Sequence, residues 1–261
     1  MAGIGKVKLN VVVVDSDRYA MAAINAYFAW DRRTTVIFKT GRLEEFWDLY
    51  RTQKINRHPD VIVIDANHLG GAEQLGGAIS RLRHKFPRII VVCLAQFADL
   101  DLIHAAAEAG AKAYWLKDDI RLHIGWAVCA CLCLDGDAFS VSSGVEAAGR
   151  RLAHRRLRQA RTLPGPKQYR DLSPRRRDTM VLFAIEGMSH RLVAHEMGIT
   201  RNAVSDNIKE ARRILESYHD DIGDYPADMS AQEIDFMRLT ALELSADCLQ
   251  FLRNCHRDRP V

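Results

Sequence analysis

The sequence predicts a doubly wound, five-stranded α/β domain followed by an all-α helix-turn-helix domain. Three observations carry this. Over the first 135 or so residues, short β-branched apolar runs alternate with longer helical patterns, as in a parallel sheet covered by helices on both faces. Between Arg150 and Arg177 the composition then shifts to eleven Lys or Arg against one acid, Asp171. From Leu172 onward the apolar spacing is helical and no strand-like run follows.

Leu9–Val14 is a Val-rich run that suits a buried strand. Val61–Ile64, Ile89–Cys93 and Ala113–Leu116 are further runs of that kind, with a weaker one at Thr35–Lys39. Helical patterns fill the intervals at Tyr19–Trp30, Leu43–Thr52, Ala72–Lys85, Ala98–Ala109 and Ile120–Leu134. A helix is expected to run to about Ala160, and Pro164-Gly165-Pro166 must break it. The next helix spans Ser173–Glu186, capped by Ser173 with Pro174 in its first turn and closed by Gly187. Ser189 caps a short helix, His190–Glu196, which Gly198 ends; Thr200 caps a longer one, Arg201 to about Tyr218. A tight turn between the last two gives the helix-turn-helix outline. Ser230 with Glu233 forms a capping box for an amphipathic helix reaching about Asn254. The expected units are 1–143, a basic linker 144–171, a helical domain 172–219 and a helical extension 220–261.

Composition excludes several classes. With 48% apolar and 27% charged residues in 261, the chain can bury a core in each domain. No stretch of about 18 apolar residues and no signal-peptide pattern is present, so a cytoplasmic protein that does not engage a membrane is expected. Cys129, Cys131 and Cys133 stand two apart, which on a helix scatters them over different faces, so they read as core residues and not as metal ligands. There is no Gly-rich phosphate loop, no nucleophile elbow and no His/Cys metal spacing, so the chain is not expected to be an enzyme. The net charge of +4 is small, and the basic bias between Arg150 and Arg177 is what points to an anionic partner.

In doubly wound sheets, ligands sit at the carboxyl ends of the strands. Asp15 follows the first expected strand, Asp65 the third and Lys117 the fifth, so three charges gather at one mouth. The segments around them, Val13-Val14-Asp15, Pro59–Asp65 and Gly110–Lys117, resemble the receiver domain of response regulators. In the second half, Leu172-Ser173-Pro174-Arg175, Glu186–Ser189, Val193-Ala194, Met197–Thr200 and Val204 resemble the helix-turn-helix domain of the LuxR-type (NarL/FixJ-like) family. The resemblance covers nearly the whole chain except its last forty or so residues.

This resemblance implies a receiver-like domain in which Asp65 is the phosphoacceptor, Asp15 and Asp65 hold Mg²⁺, and Lys117 binds the phosphoryl oxygens. Such chemistry needs a carboxylate nucleophile and cations on the phosphoryl oxygens. The receiver departs from the pattern in three places: Ser16 stands where the second acid is usual, Ala95 or Leu94 where a hydroxyl residue ends strand four, and His68-Leu69 where Met-Pro is usual. An atypical receiver follows, governed by dimerisation, a small ligand, a sensor kinase or another protein partner. The resemblance also puts a dimer surface around strands four and five and helix five.

The expected function is sequence-specific binding of double-stranded DNA by a homodimer. Arg201, Ser205, Lys209 and Arg212 recur along one helical stripe, flanked by Asn202, Asp206 and Arg213, with Asn207 nearby. Asp206 can accept from a cytosine amino group. Arg175, Arg176 and Arg177 open the domain's first helix and suit phosphate contacts. Arg176 and Asn207 replace a Glu and a His that are usual in the family. The competing expectation is an interaction protein that binds no DNA and docks partners on its receiver-like domain and tail helix.

Overall fold

The computed structural model describes residues 9–31, 33–52, 57–120, 124–132, 138–149, 160–163, 169–218 and 231–240. Two compact units form: Lys8–Ala29 with Thr34–Leu163 make one, and Pro164–Val261 carries the other.

In the first unit the five expected runs are strands: β1 (Leu9–Val14), β2 (Thr34–Thr40), β3 (Val61–Asp65), β4 (Ile90–Ala95) and β5 (Ala113–Leu116). Helices α1 (Arg18–Trp30), α2 (Leu43–Arg51), α3 (Ala72–Lys85) and α4 (Leu100–Glu108) alternate with them. The helix expected over Ile120–Leu134 is instead two pieces, α5 (Lys117–Ile120) and α6 (Ile124–Leu132), with 121–123 and 133–134 outside the described residues. Every residue of β1, β3 and β4 is buried, so alternate side chains pack on both faces of the sheet. Phe46, Ile62, Ile79, Leu82, Ile103 and Tyr114 lie in the core on one side.

The count of five strands is corrected: among the described residues the sheet has seven, in the order β2-β1-β3-β4-β5-β6-β7, with each neighbouring pair parallel. The added strands, β6 (Ser140–Val141) and β7 (Arg161–Thr162), are two residues each, and α7 (Ser143–Gly149) lies between them in sequence. Neither carries an apolar run that could mark it. Their backbone bonds include Ser140 N–H to Lys112 O at 2.9 Å, Arg161 N–H to Phe139 O at 2.8 Å and Leu163 N–H to Val141 O at 2.9 Å. The linker read over 144–171 is corrected too, because α7 and β7 fall inside it and Val145 is 1% exposed within the core. The helix expected to reach Ala160 and the Pro164-Gly165-Pro166 break fall largely outside the described residues.

One consequence concerns pairing with a second copy. The outer edge of β5, part of the surface expected to dimerise, is taken by the chain's own β6. Ser142 Oγ accepts from Leu116 N–H at 3.0 Å, and the buried Trp115 Nε1–H donates to Ser140 Oγ at 3.1 Å.

Cys93, Cys129 and Cys131 form no disulfide and are buried, in line with core packing, and burial pushes the Cys93 and Cys131 thiols up to about 12. Cys133 lies outside the described residues. Among the described residues no helix is long and apolar enough to cross a membrane.

The second unit is helical. Helix α8 (Pro174–Met180) runs into a π turn (Val181–Ile185), followed by α9 (His190–Glu196), α10 (Arg201–Tyr218) and α11 (Ala231–Thr240). The single helix expected over Ser173–Glu186 therefore changes character at its end, where Glu186 N–H reaches back five residues to Val181 O at 3.0 Å. The expected caps are present: Ser173 Oγ accepts from Arg176 N–H, Ser189 Oγ from Leu192 N–H and Thr200 Oγ1 from Ala203 N–H. Gly187 and Gly198 take φ of 68° and 61°, a left-handed turn that other residues adopt at a cost. The capping box at Ser230 and the helix beyond Thr240 lie outside the described residues.

Val145 separates the two readings of its segment. In a linker, Val145→Ala would shift stability by no more than about 0.5 kcal/mol. Buried under the extended sheet, it is expected to cost about 2 kcal/mol in urea unfolding.

Candidate functional site

Two constellations are brought together by the fold, one in each unit. The first lies at the carboxyl ends of the strands. The β1–β3 register pairs Val14 with Ile64, so Asp15 and Asp65 emerge side by side. Lys117 follows β5 and reaches back across the end of β4, which finishes at the small Ala95. Its Nζ stands 2.8 Å from Asp15 Oδ2 and 3.2 Å from Asp65 Oδ2. Asp15 is 2% exposed and Asp65 4%, so this ammonium bridges two carboxylates almost entirely withdrawn from water.

The electrostatics follow from that geometry. Burial raises the Asp15 carboxyl above its ordinary value; Lys117 pulls it down and the charge of Asp65 pushes it further up. Burial works against the Lys117 ammonium, yet contact with Asp15 and the charges of both carboxylates prevail and raise its pKa. Both oxygens of Asp65 have further partners. Oδ1 accepts from Asn67 N–H at 3.2 Å, and Oδ2 lies 2.7 Å from His68 Nδ1.

The residues do not fit the Mg²⁺ that the receiver resemblance implies. Mg²⁺ demands several oxygen ligands in near-octahedral geometry. Asp17, the acid displaced by one place, uses its Oδ1 to cap α1, accepting from Tyr19 N–H at 2.8 Å and Ala20 N–H at 3.2 Å. The remaining pair, Asp15 and Asp65, already shares the Lys117 ammonium, and among the described residues no group of three or more candidate ligands forms.

The second constellation is α10. Val204, Ile208, Ala211 and Leu215 are buried along one side. Arg201, Asn202, Ser205, Asp206, Lys209 and Arg213 are exposed along the other. Ser205 Oγ bonds back to Arg201 O at 3.1 Å and stands 3.4 Å from His190 Nδ1 on α9. Arg213 pairs with Glu210 at 2.7 Å, and Arg213 foremost, with Arg176 adding charge, lowers the Glu210 carboxyl pKa. Arg175 is exposed, Arg176 is half-buried, and Arg177 is half-buried beside Asp178 at 3.5 Å.

Two residues expected at the outer face are elsewhere. Asn207 turns inward, and its Nδ2 donates to Thr179 Oγ1 at 3.2 Å, tying α10 to α8. Arg212 grips Asp235 on α11 with Nε at 2.9 and 2.8 Å and one terminal nitrogen at 2.6 Å. The i, i+11 spacing did set Arg212 near the stripe. It also set it beside the buried edge, where α11 packs.

The chain is similar to solved response regulators. The RcsB response regulator of Salmonella typhimurium is 17% identical over 80% of this chain and 92% of its own, with a TM-score of 0.46. RcsB of Salmonella enterica serovar Typhimurium bound to the promoter rprA is 14% identical over 90% and 100%, with a TM-score of 0.43. A LuxR family DNA-binding response regulator from Silicibacter pomeroyi is 18% identical over 48% and 90%, with a TM-score of 0.38. No family model and no curated protein matches the sequence.

Asp235 and His190 escaped the sequence reading. Nothing in their local spacing marks them, since their partners lie 23 and 15 residues away.

The Asp15–Asp65–Lys117 cluster makes a pH-dependent prediction. A carboxyl with a raised pKa adds stability below its ordinary value of 3.8 and loses it as pH climbs through the raised value. Lys117, also raised, adds stability until pH climbs past the ordinary ammonium value of about 10.4. Between these limits the ammonium offsets the buried carboxylates. Lys117→Met is expected to cost about 3 kcal/mol at pH 7 and distinctly less at pH 4, where the raised Asp15 carboxyl takes up a proton. Urea midpoints at the two pH values measure this, and equal deficits would argue against an ionic role.

Proposed function

We propose that the chain is a sequence-specific DNA-binding transcription regulator of the response-regulator type, with α9 and α10 as its helix-turn-helix. The carrying observation is the division of α10 into an apolar buried side and an exposed side of short polar and basic residues. A helix of this kind fits the major groove, where Asn202, Ser205 and Asp206 read base edges and Lys209, Arg201 and Arg213 meet phosphates. Arg175 adds a phosphate contact from α8. The chain acts as a homodimer on two half-sites, because one such domain makes a small interface. It is no enzyme, and it acts inside the cell on double-stranded DNA.

Selection from a randomised duplex pool tests this. Enrichment of paired half-sites is expected. Lys209→Glu should weaken binding at least tenfold, since it replaces a phosphate contact with a repulsion. A pool that stays random would overturn the reading. The alternative is a docking protein that binds no DNA, and it draws on Tyr19 and Phe97, which are 90% and 60% exposed. It would gain if Lys209→Glu left cellular function intact.

In this reading the receiver-like unit is a platform whose two strand-end carboxylates are bridged by one ammonium. Asp65, engaged by Lys117, His68 and Asn67 N–H, takes no phosphoryl group. Intact mass after acetyl phosphate and Mg²⁺ is expected to stay unchanged, identical to that of Asp65→Ala. A phosphoryl-sized gain lost in the variant would reinstate Asp65 as the acceptor.

A further inference from the structure

Helix α11 meets the rest of the second unit through a polar stripe at three-residue spacing. Gln232 Nε2–H donates to Phe183 O in the π turn. Asp235, 1% exposed, takes the bidentate grip of Arg212. Arg238 pairs with Glu216 at 2.8 Å, and its carbonyl accepts from Tyr169 Oη–H at 2.6 Å. The Arg212 guanidinium also lies over the Phe183 ring, 5.9 Å from its centroid.

Structural stapling alone does not require an arginine on α10 at this place. Arg212 stands one turn beyond Lys209, at the end of the basic stripe on the helix assigned to DNA. Its side chain keeps 33% of its surface exposed, so it is held at the boundary between the packed edge and the outer face. Asp235 is the opposite case, sealed from water and pushed up in pKa by burial against the pull of Arg212. Removing a carboxylate from water is costly, and the cost is recovered only while the cation stays with it. With Nε and one terminal nitrogen on Asp235, Arg212 has its charge paired and cannot offer its full fork to a phosphate.

We propose that α11 is a built-in latch that withholds Arg212 from the DNA backbone, so that undocking α11 tightens DNA binding by one phosphate contact. This rests on the DNA-binding reading of α10. The device links whatever displaces α11 to the affinity of the domain for any duplex.

The test is the salt dependence of binding by the full chain to a random-sequence 30-bp duplex. Each phosphate contact steepens the slope of log K against log salt by about 0.9. Asp235→Asn is expected to steepen the wild-type slope by about that amount and to tighten binding several-fold at low salt. Gln232→Ala, which changes no charge, should move the slope the same way. Arg212→Ala should leave the wild-type slope unchanged, and in the Asp235→Asn background it should abolish the gain. Far-UV circular dichroism checks that each variant stays folded. A wild-type slope that flattens on Arg212→Ala would mean that Arg212 already contacts DNA and would overturn the latch. So would an Asp235→Asn gain that survives removal of Arg212, since that gain would be net charge alone. If no form binds the duplex, the DNA-binding reading falls with it. If the wild type binds and Asp235→Asn and Gln232→Ala leave the slope unmoved, only the latch falls.

Discussion

A carboxylate drawn out of water has to keep a cation beside it or a proton on it. The parallel sheet imposes this condition on Asp15 and Asp65, which its register sets at adjacent strand ends with almost no exposure. Lys117 meets it from the end of β5, two strands from Asp65 and three from Asp15. Between β3 and β5, β4 ends at Ala95. The hydroxyl that the receiver pattern sets there is missing, and so is the second acid beside Asp15. What remains is a compact group of two carboxylates bridged by one ammonium, with Asp17 diverted to the start of α1.

The same condition recurs in the helical unit with a different outcome. Asp235 is as deeply buried as Asp15, but its cation comes from the rim of an exposed helix. In the sheet, the bridging ammonium closes a site. On α10, the guanidinium couples the position of α11 to the charge that α10 presents. The first pairing favours a quiet receiver-like platform. The second offers a place where regulation can act without phosphoryl chemistry.

Extension of the sheet bears on assembly. With β6 hydrogen-bonded along β5 and Ser140 and Ser142 engaging Trp115 and Leu116, that edge is closed by the chain itself. That edge of β5 is therefore not open to a strand from a second copy.

Much of this was legible in one dimension. The Val-rich runs of β1 and β3, the caps Ser173, Ser189 and Thr200, and the turns at Gly187 and Gly198 each follow from local chemistry, because each depends on residues within a turn or two. The strand-end positions of Asp15, Asp65 and Lys117 followed from alternation of strands and helices. Two-residue strands such as β6 and β7 carry no periodicity, so only their partners define them. Helical spacing alone could put Arg212 and Asn207 near the outer stripe of α10, but not choose their partners. Those choices, Asp235 for Arg212, Thr179 for Asn207 and Lys117 for both carboxylates, join residues 23 to 102 positions apart. The sequence by itself determined the class of each unit and the chemistry it could hold. Only the tertiary structure decided which charges face water and which face one another, because that depends on packing between elements distant in the chain.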